Sequence, residues 1–262
     1  MSVQGSVLVL HRGARSVSLD ELREVHPPAP VGRWHPIAHA RVVDVVTQAI
    51  GEAGYAVRRS QFGLTPDGHR CFGTLDLDSA LAHGVGLSVG VRNSSDKSFP
   101  LGFCAGSRVF CCDNLAFRAE LLVKRKHTRH GEQRFVAAIA GAVASLKAFR
   151  EVEAERIERF ARTEVSPDLA DALILRAFER GMIGARELPR VIREWRSPAH
   201  AEFQPRTVWS LFNAFTGGLK ERCLARPAEY AVQTMRLNGL LDAAEVAHAL
   251  PPVPPAGPSA AV

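Results

Sequence analysis

The sequence predicts an α+β fold: an antiparallel β-meander of four or five strands between about Tyr55 and Cys112, preceded by one helix and followed by an all-helical half. Three observations predict it. Apolar residues recur at every second position across the strand region. They recur at helical spacing on either side of it. The connections within the strand region are short and rich in turn formers, which suits antiparallel neighbours, because parallel strands need long crossovers.

Residues 1–35 read as an N-terminal arm, with a strand-like stretch Val7 to Leu10, a small helix opened by the capping pattern Ser18-x-x-Glu21, and the loop His26 to Pro30. Residues 36–130 read as the helix, the sheet core and a basic segment. The helix starts at Pro36, carries Val42, Val45, Val46, Ala49 and Ile50 on one face, and ends at Gly51 and Gly54. The clearest strand is Gly84 to Arg92: Val85, Leu87, Val89 and Val91 take one face, and Gly84, Gly86, Ser88, Gly90 and Arg92 the other. Glycine weakens a strand, so its repetition on one face implies a close neighbour, a packed helix in preference to a ligand. Turns are predicted at Thr65 to Gly68, Asn93 to Ser98 and Ala105 to Ser107.

Beyond Cys112 the pattern turns helical. Residues 131–250 form a helical region, with a seam of Phe135, Ile139, Val143, Leu146, Ile157 and Phe160, a helix capped by Ser166-Pro167, and apolar faces around Leu188 to Trp195 and Val208 to Phe215. Asp242-x-x-Glu245 is expected to cap a last short helix. Residues 251–262 hold five prolines and are expected to be a disordered tail.

The 262 residues are 46% hydrophobic, enough for a sizeable core, which excludes disorder of the body. No apolar run approaches the roughly 20 residues of a membrane span, so a cytoplasmic protein without membrane contact is expected. Five cysteines without a C-x-x-C pair read as reduced thiols. No phosphate loop, nucleophile elbow or zinc-protease motif occurs, and no cofactor or metal is expected.

Charge is uneven along the chain. Between Arg118 and Arg134 six Lys/Arg face two acids, an excess of four out of a net charge of +6. That concentration is an electrostatic footprint for phosphates, with Lys124, Arg125, Lys126 and Arg129 at its centre. Arg92, Lys97 and Arg108, expected at turns and strand ends, extend the track. The pairs His127/His130 and His35/His39 have helical spacing but no carboxylate or thiolate beside them to complete a metal shell. Asp76 and Asp78, with Asp96 across the sheet, offer a carboxylate cluster for a divalent cation, weighed against ordinary strand-end and turn aspartates. Asn93, Asp96 and Asn114 are expected to serve structure, closing a turn and a strand junction by side-chain hydrogen bonds.

The stretches Asn93-Ser94-Ser95-Asp96-Lys97-Ser98, Gly106 to Phe117 (ending in the C-x-N-L of Cys112 to Leu115) and Lys124-Arg125-Lys126-His127-Thr128 resemble the phage- and plasmid-associated family 932 of the domains of unknown function, over about residues 36–219. The resemblance implies a mobile-element setting and no assigned reaction. Many members carry histidine where this chain has Ser95, which removes that position as a catalytic base. A meander followed by a helix and a basic segment is also similar in topology to single-strand annealing proteins.

Three functional readings follow. The first is a nucleic-acid-binding protein of a mobile element, contacting the phosphates of single strands or of replication and recombination intermediates, DNA in preference to RNA, and able to form a homo-oligomer. With only 7% aromatics, and Tyr55, Phe99 and Phe110 as the strand candidates, base stacking is expected to be slight. The second is a metal-assisted nuclease using Asp76, Asp78 and Asp96, with Lys97 steadying phosphate charge. The third is an oligomeric scaffold whose basic segment meets an acidic protein.

Overall fold

Among the residues described by the computed structural model (13–109, 114–220 and 227–249), six strands follow one another in both sequence and space. They are β1 (Arg15–Val17), β2 (Val57–Leu64), β3 (Arg70–Ala80), β4 (Val85–Ser94), β5 (Leu101–Val109) and β6 (Asn114–Arg125). Every neighbouring pair is antiparallel. The fold is therefore an α+β meander, one or two strands larger than the sequence predicts. The expected strand Val7–Leu10, Phe110, Cys111, Cys112, Cys223 and the proline-rich tail lie outside the described residues.

Both additional strands have physical reasons for being missed. At three residues, β1 is too short to show a period; it pairs with the end of β2, so part of the expected arm is the edge of the sheet. β6 runs through sequence rich in Leu, Ala and Lys/Arg, which favours helix by propensity. Its register against β5 also shifts, from Cys104↔Leu122 to Gly106↔Phe117, so extra β6 residues break the alternation a strand normally displays. Pairing along β5 overrides local preference here.

Helix α1 (Leu19–Arg23) begins at the expected capping box, with the Ser18 side chain accepting from the Glu21 N–H and the Glu21 carboxylate accepting from the Ser18 N–H. Helix α2 (His39–Glu52) presents Val42, Val43, Val45, Val46 and Ile50 inward and gives way to Gly54 at φ +82°. The expected seam from Glu132 to Arg162 divides at Ser145 into α3 (Gly131–Ala144) and α4 (Leu146–Arg162). Ser166 caps α5 (Pro167–Glu179), accepting from the Leu169 N–H. Helices α6 (Leu188–Arg196), α7 (Val208–Gly218) and α8 (Pro227–Ala249) follow among the described residues. Asp242 lies inside α8, where it pairs with Arg159 of α4, so it does not open a separate short helix.

Two cores result. The face of β4 bearing Leu87, Val89 and Val91 packs with α2, α3 and the start of α4, burying Val46, Ile50, Phe135 and Ile139 completely. Each such side chain contributes roughly 1.5–3 kcal/mol. Gly73 on this face is required by close approach: a Cβ there would lie 2.6 Å from the Phe62 ring. The second core gathers the latter part of α4 with α5 to α8 and reaches the sheet at Val85.

The opposite face of the sheet, bare of large side chains along β4, is crossed by an arginine. Arg108 sits on β5 opposite Gly86, yet its Nη2 donates to Thr74 Oγ1 on β3 at 3.0 Å. To get there it passes over β4, where Gly86, Ser88 and Gly90 leave room. The small residues of β4 thus give a side chain its path across the sheet, while Cys104, opposite Gly90, packs against the helical core.

Candidate functional site

The meander has two ends, and the predicted residues divide between them. The β2–β3 turn, the β4–β5 turn and the segment leaving β6 lie at one end, because β2, β4 and β6 all finish there. This end gathers Arg92, Asn93, Asp96, Lys97, Lys124, Arg125, Lys126 and Arg129. Arg108 is not among them. It pairs with Gly86, six residues from Arg92 along β4, or about 20 Å away.

Arg108 is fully buried. Its Nε lies 2.9 Å from Asp76 Oδ1, while Arg59 Nε donates to Asp76 Oδ2 at 2.8 Å and the Ser88 hydroxyl donates to Oδ1 at 2.5 Å. Against the expectation from sequence, Arg108 balances an interior acid and has no surface to offer a phosphate. Position on a strand end does not distinguish it from Arg92; only its reach over the small residues of β4 does.

The same geometry bears on the carboxylate cluster. Asp76 is enclosed by two arginines, and Asp78, beside the register shift between Asp76 and Ala80, points to solvent. Asp96 lies beyond the far end of β4, not across the sheet from Asp76. Among the described residues no group of three His, Cys, Asp or Glu side chains is placed to hold a metal ion. Cys71 and Cys104 are unpaired thiols, each pushed up to about 12 by burial.

At the first end, a network of neutral groups holds the backbone beneath the exposed cations. The Asn93 Nδ2 group donates to the Ile37 carbonyl at 2.8 Å and lies 3.0 Å from His39 Nδ1. His39 Nε2 is 3.0 Å from the Gly68 carbonyl. The Ile37 N–H donates to His127 Nδ1 at 3.3 Å, and the His35 N–H to the His127 carbonyl. Both imidazoles therefore accept at Nδ1, which requires the neutral form with its proton on Nε2. Burial lowers the pKa of His39 and His127, with the neighbouring imidazoles of His69 and His39, respectively, adding to it.

The β4–β5 turn is closed by Asp96. Its carboxylate accepts from the Ser98 N–H at 2.9 Å and from Arg70 Nε at 2.7 Å. Burial raises its pKa, but Ser98 and Arg70 outweigh that and bring it down to about 2. Lys97 takes a left-handed φ of +64°, unusual for a side chain with a Cβ, and its ammonium stands 4.8 Å from the centre of the Trp34 ring. Asn114, the third expected structural residue, begins β6 at the opposite end. Its side chain lies outside the described atoms.

Lys97, Lys124, Arg125, Lys126 and Arg129 are all exposed. Among the described residues none of them pairs with a carboxylate. The acids of this end are engaged already: Asp96 by Arg70, Glu132 by Arg41 at 2.6 Å, and Asp67 by the Thr65 hydroxyl and the His69 N–H. Arg92 is half-buried, its guanidinium 5.2 Å from the Phe99 ring centre, and burial lowers its pKa. Phe72, which the sequence reading passed over, lies opposite Arg92 in the register and 5.2 Å from Phe99. Only the pairing of β3 with β4 brings it here.

An α+β meander with one cationic, solvent-facing sheet end defines the class of protein. The chain belongs to the family described as Domain of unknown function (DUF932), which matches residues 30–241 and so covers most of it. No curated protein and no solved structure matches the chain. Among the described residues no helix is long and apolar enough to cross a membrane.

Proposed function

We propose that the chain binds nucleic acid through the cationic end of its sheet, contacting phosphates of single strands or of replication and recombination intermediates with little sequence preference. The observation that carries this reading is the set of five exposed cations, Lys97, Lys124, Arg125, Lys126 and Arg129, which among the described residues have no carboxylate partner, the local acids being engaged elsewhere. A surface with an excess of positive charge, built on a sheet end, attracts a polyanion and holds it by counterion release. The resemblance to proteins of mobile elements makes DNA the first ligand to test, with RNA as the comparison.

Binding weakens with salt. Each phosphate contact to a single strand contributes a log–log slope of about −0.7, so three or four contacts give roughly −2 to −3. Replacing Lys124, Arg125 and Lys126 together with Ala reduces the slope by about 2. The measurement is fluorescence anisotropy of labelled single- and double-stranded oligonucleotides across a salt series. No salt-sensitive binding by the wild-type protein, or an unchanged slope in the triple variant, would end this reading.

A further inference from the structure

We infer that one cross-strand row at this end, Phe72, Arg92, Gly102 and Lys124, forms with Phe99 a platform on which unpaired bases stack, so that the ligand is single-stranded nucleic acid and not duplex. The inference rests on the nucleic-acid reading above and names the ligand class of the same site.

The row is set by register. Phe72 of β3 pairs with Arg92 of β4, Arg92 with Gly102 of β5, and Gly102 with Lys124 of β6, so all four belong to one face of the sheet. Phe99, from the turn beyond β4, joins that face. Its ring centre is 5.2 Å from that of Phe72, at 46° between planes, and 5.2 Å from the Arg92 guanidinium carbon. The Arg92 side chain lies across Gly102. A Cβ at Gly102 would meet Arg92 Nε at 3.0 Å and Cγ at 3.1 Å, so glycine is what allows the arginine to lie low there.

Phe72, Arg92 and Phe99 are each half-buried and Lys124 is exposed. Two aromatic rings and a planar guanidinium thus reach the surface in one row ending in a cation, with Lys97 on the adjoining turn. Base faces stack on aromatic rings and guanidinium planes irrespective of sequence, while lysines at the border take phosphates. A duplex keeps its bases stacked on one another and offers such a platform nothing but its backbone. The low aromatic content of the chain is therefore no obstacle to stacking, because the register and the β4–β5 turn set two rings and a guanidinium side by side.

The test pairs a ligand change with a protein change. The ligands are an oligothymidylate, the same backbone with abasic sites, and a duplex of equal length, each titrated against the wild-type protein and the variants Phe99→Leu and Phe99→Trp. The platform predicts that wild type binds the oligothymidylate about tenfold or more tighter than the abasic strand. Phe99→Leu should lose most of that difference with its salt slope and duplex affinity unchanged, and Phe99→Trp should keep it. Equal wild-type affinity for abasic and base-bearing strands overturns the platform while leaving phosphate binding standing, and needs no variant to fold. So does a Phe99→Leu loss that is the same for all three ligands. Absence of salt-sensitive binding by the wild-type protein to any of them removes the nucleic-acid reading and the platform together.

Discussion

At the cationic end of the sheet Lys97, Lys124, Arg125, Lys126 and Arg129 stand in solvent, without carboxylate partners among the described residues; at the other end Arg108 and Arg156 lie inside the protein, each against an acid. Two successive residues of β5 organise the second arrangement. Ser107 points to one face and donates to Glu153, which Arg156 Nη2 meets at 2.8 and 2.9 Å, while Arg108 points to the other and meets Asp76. The same residue type thus does opposite work about 20 Å apart. Buried, an arginine is fixed by the cost of leaving its acid unpaired; exposed, it contributes little to stability and is available for a ligand.

The largest expected effect breaks the buried arrangement. Asp76→Ala leaves the fully buried Arg108 without its counter-charge and is expected to cost about 3–5 kcal/mol in urea or guanidinium unfolding. Replacing both partners, Asp76→Leu with Arg108→Met, removes the two charges together and is expected to recover about 2 kcal/mol or more of that loss. A double variant no more stable than the single one would mean that Thr74 and Gln61, whose side-chain oxygens accept from the Arg108 guanidinium, depend on it for more than charge balance.

A smaller effect concerns pH at the cationic end. His39 and His127 are neutral acceptors in the network beneath the cations, and their pKa values lie below the ordinary histidine value near 6.5. The unfolded chain therefore binds more protons than the folded one once the pH falls below about 6.5. Stability from these groups is present in full above that pH and is lost as the pH falls towards the folded values. Unfolding midpoints measured from about pH 8 to about pH 5 should decline, and His127→Gln should flatten the decline, because glutamine has no proton to gain. A flat wild-type profile would contradict the neutral network.

How much of this was legible depends on whether a feature is local. The capping box of α1, the apolar face of α2 and the alternation of β4 each occupy a few consecutive residues, and a sequence carries such signals openly. The concentration of charge around Lys124 to Arg129 was legible for the same reason. Arg108 was not, because a strand arginine reveals its fate only when its partner, Asp76, is known to lie two strands away. Phe72 illustrates the reverse case: it reads as an ordinary strand aromatic until the register sets it beside Arg92 and Phe99. β6 was hidden by helix-favouring residues and by a register shift, so its commitment comes from β5 and not from itself.

The smallest expected effect sharpens the comparison from the exposed side. Replacing Lys124, Arg125 and Lys126 with Ala removes three adjacent cations whose carboxylate partners, among the described residues, are none. Surface changes of this kind stay within about 0.5 kcal/mol each, and relief of like-charge repulsion favours the variant. At low ionic strength the triple variant should therefore unfold at the same urea midpoint as wild type or a slightly higher one. Any gain should shrink with added salt, since exposed charges are screened over about 10 Å at 0.1 M. A loss of more than about 1 kcal/mol that persists in high salt would place these side chains among the structural arginines, and the contrast between the two ends would then be one of exposure alone.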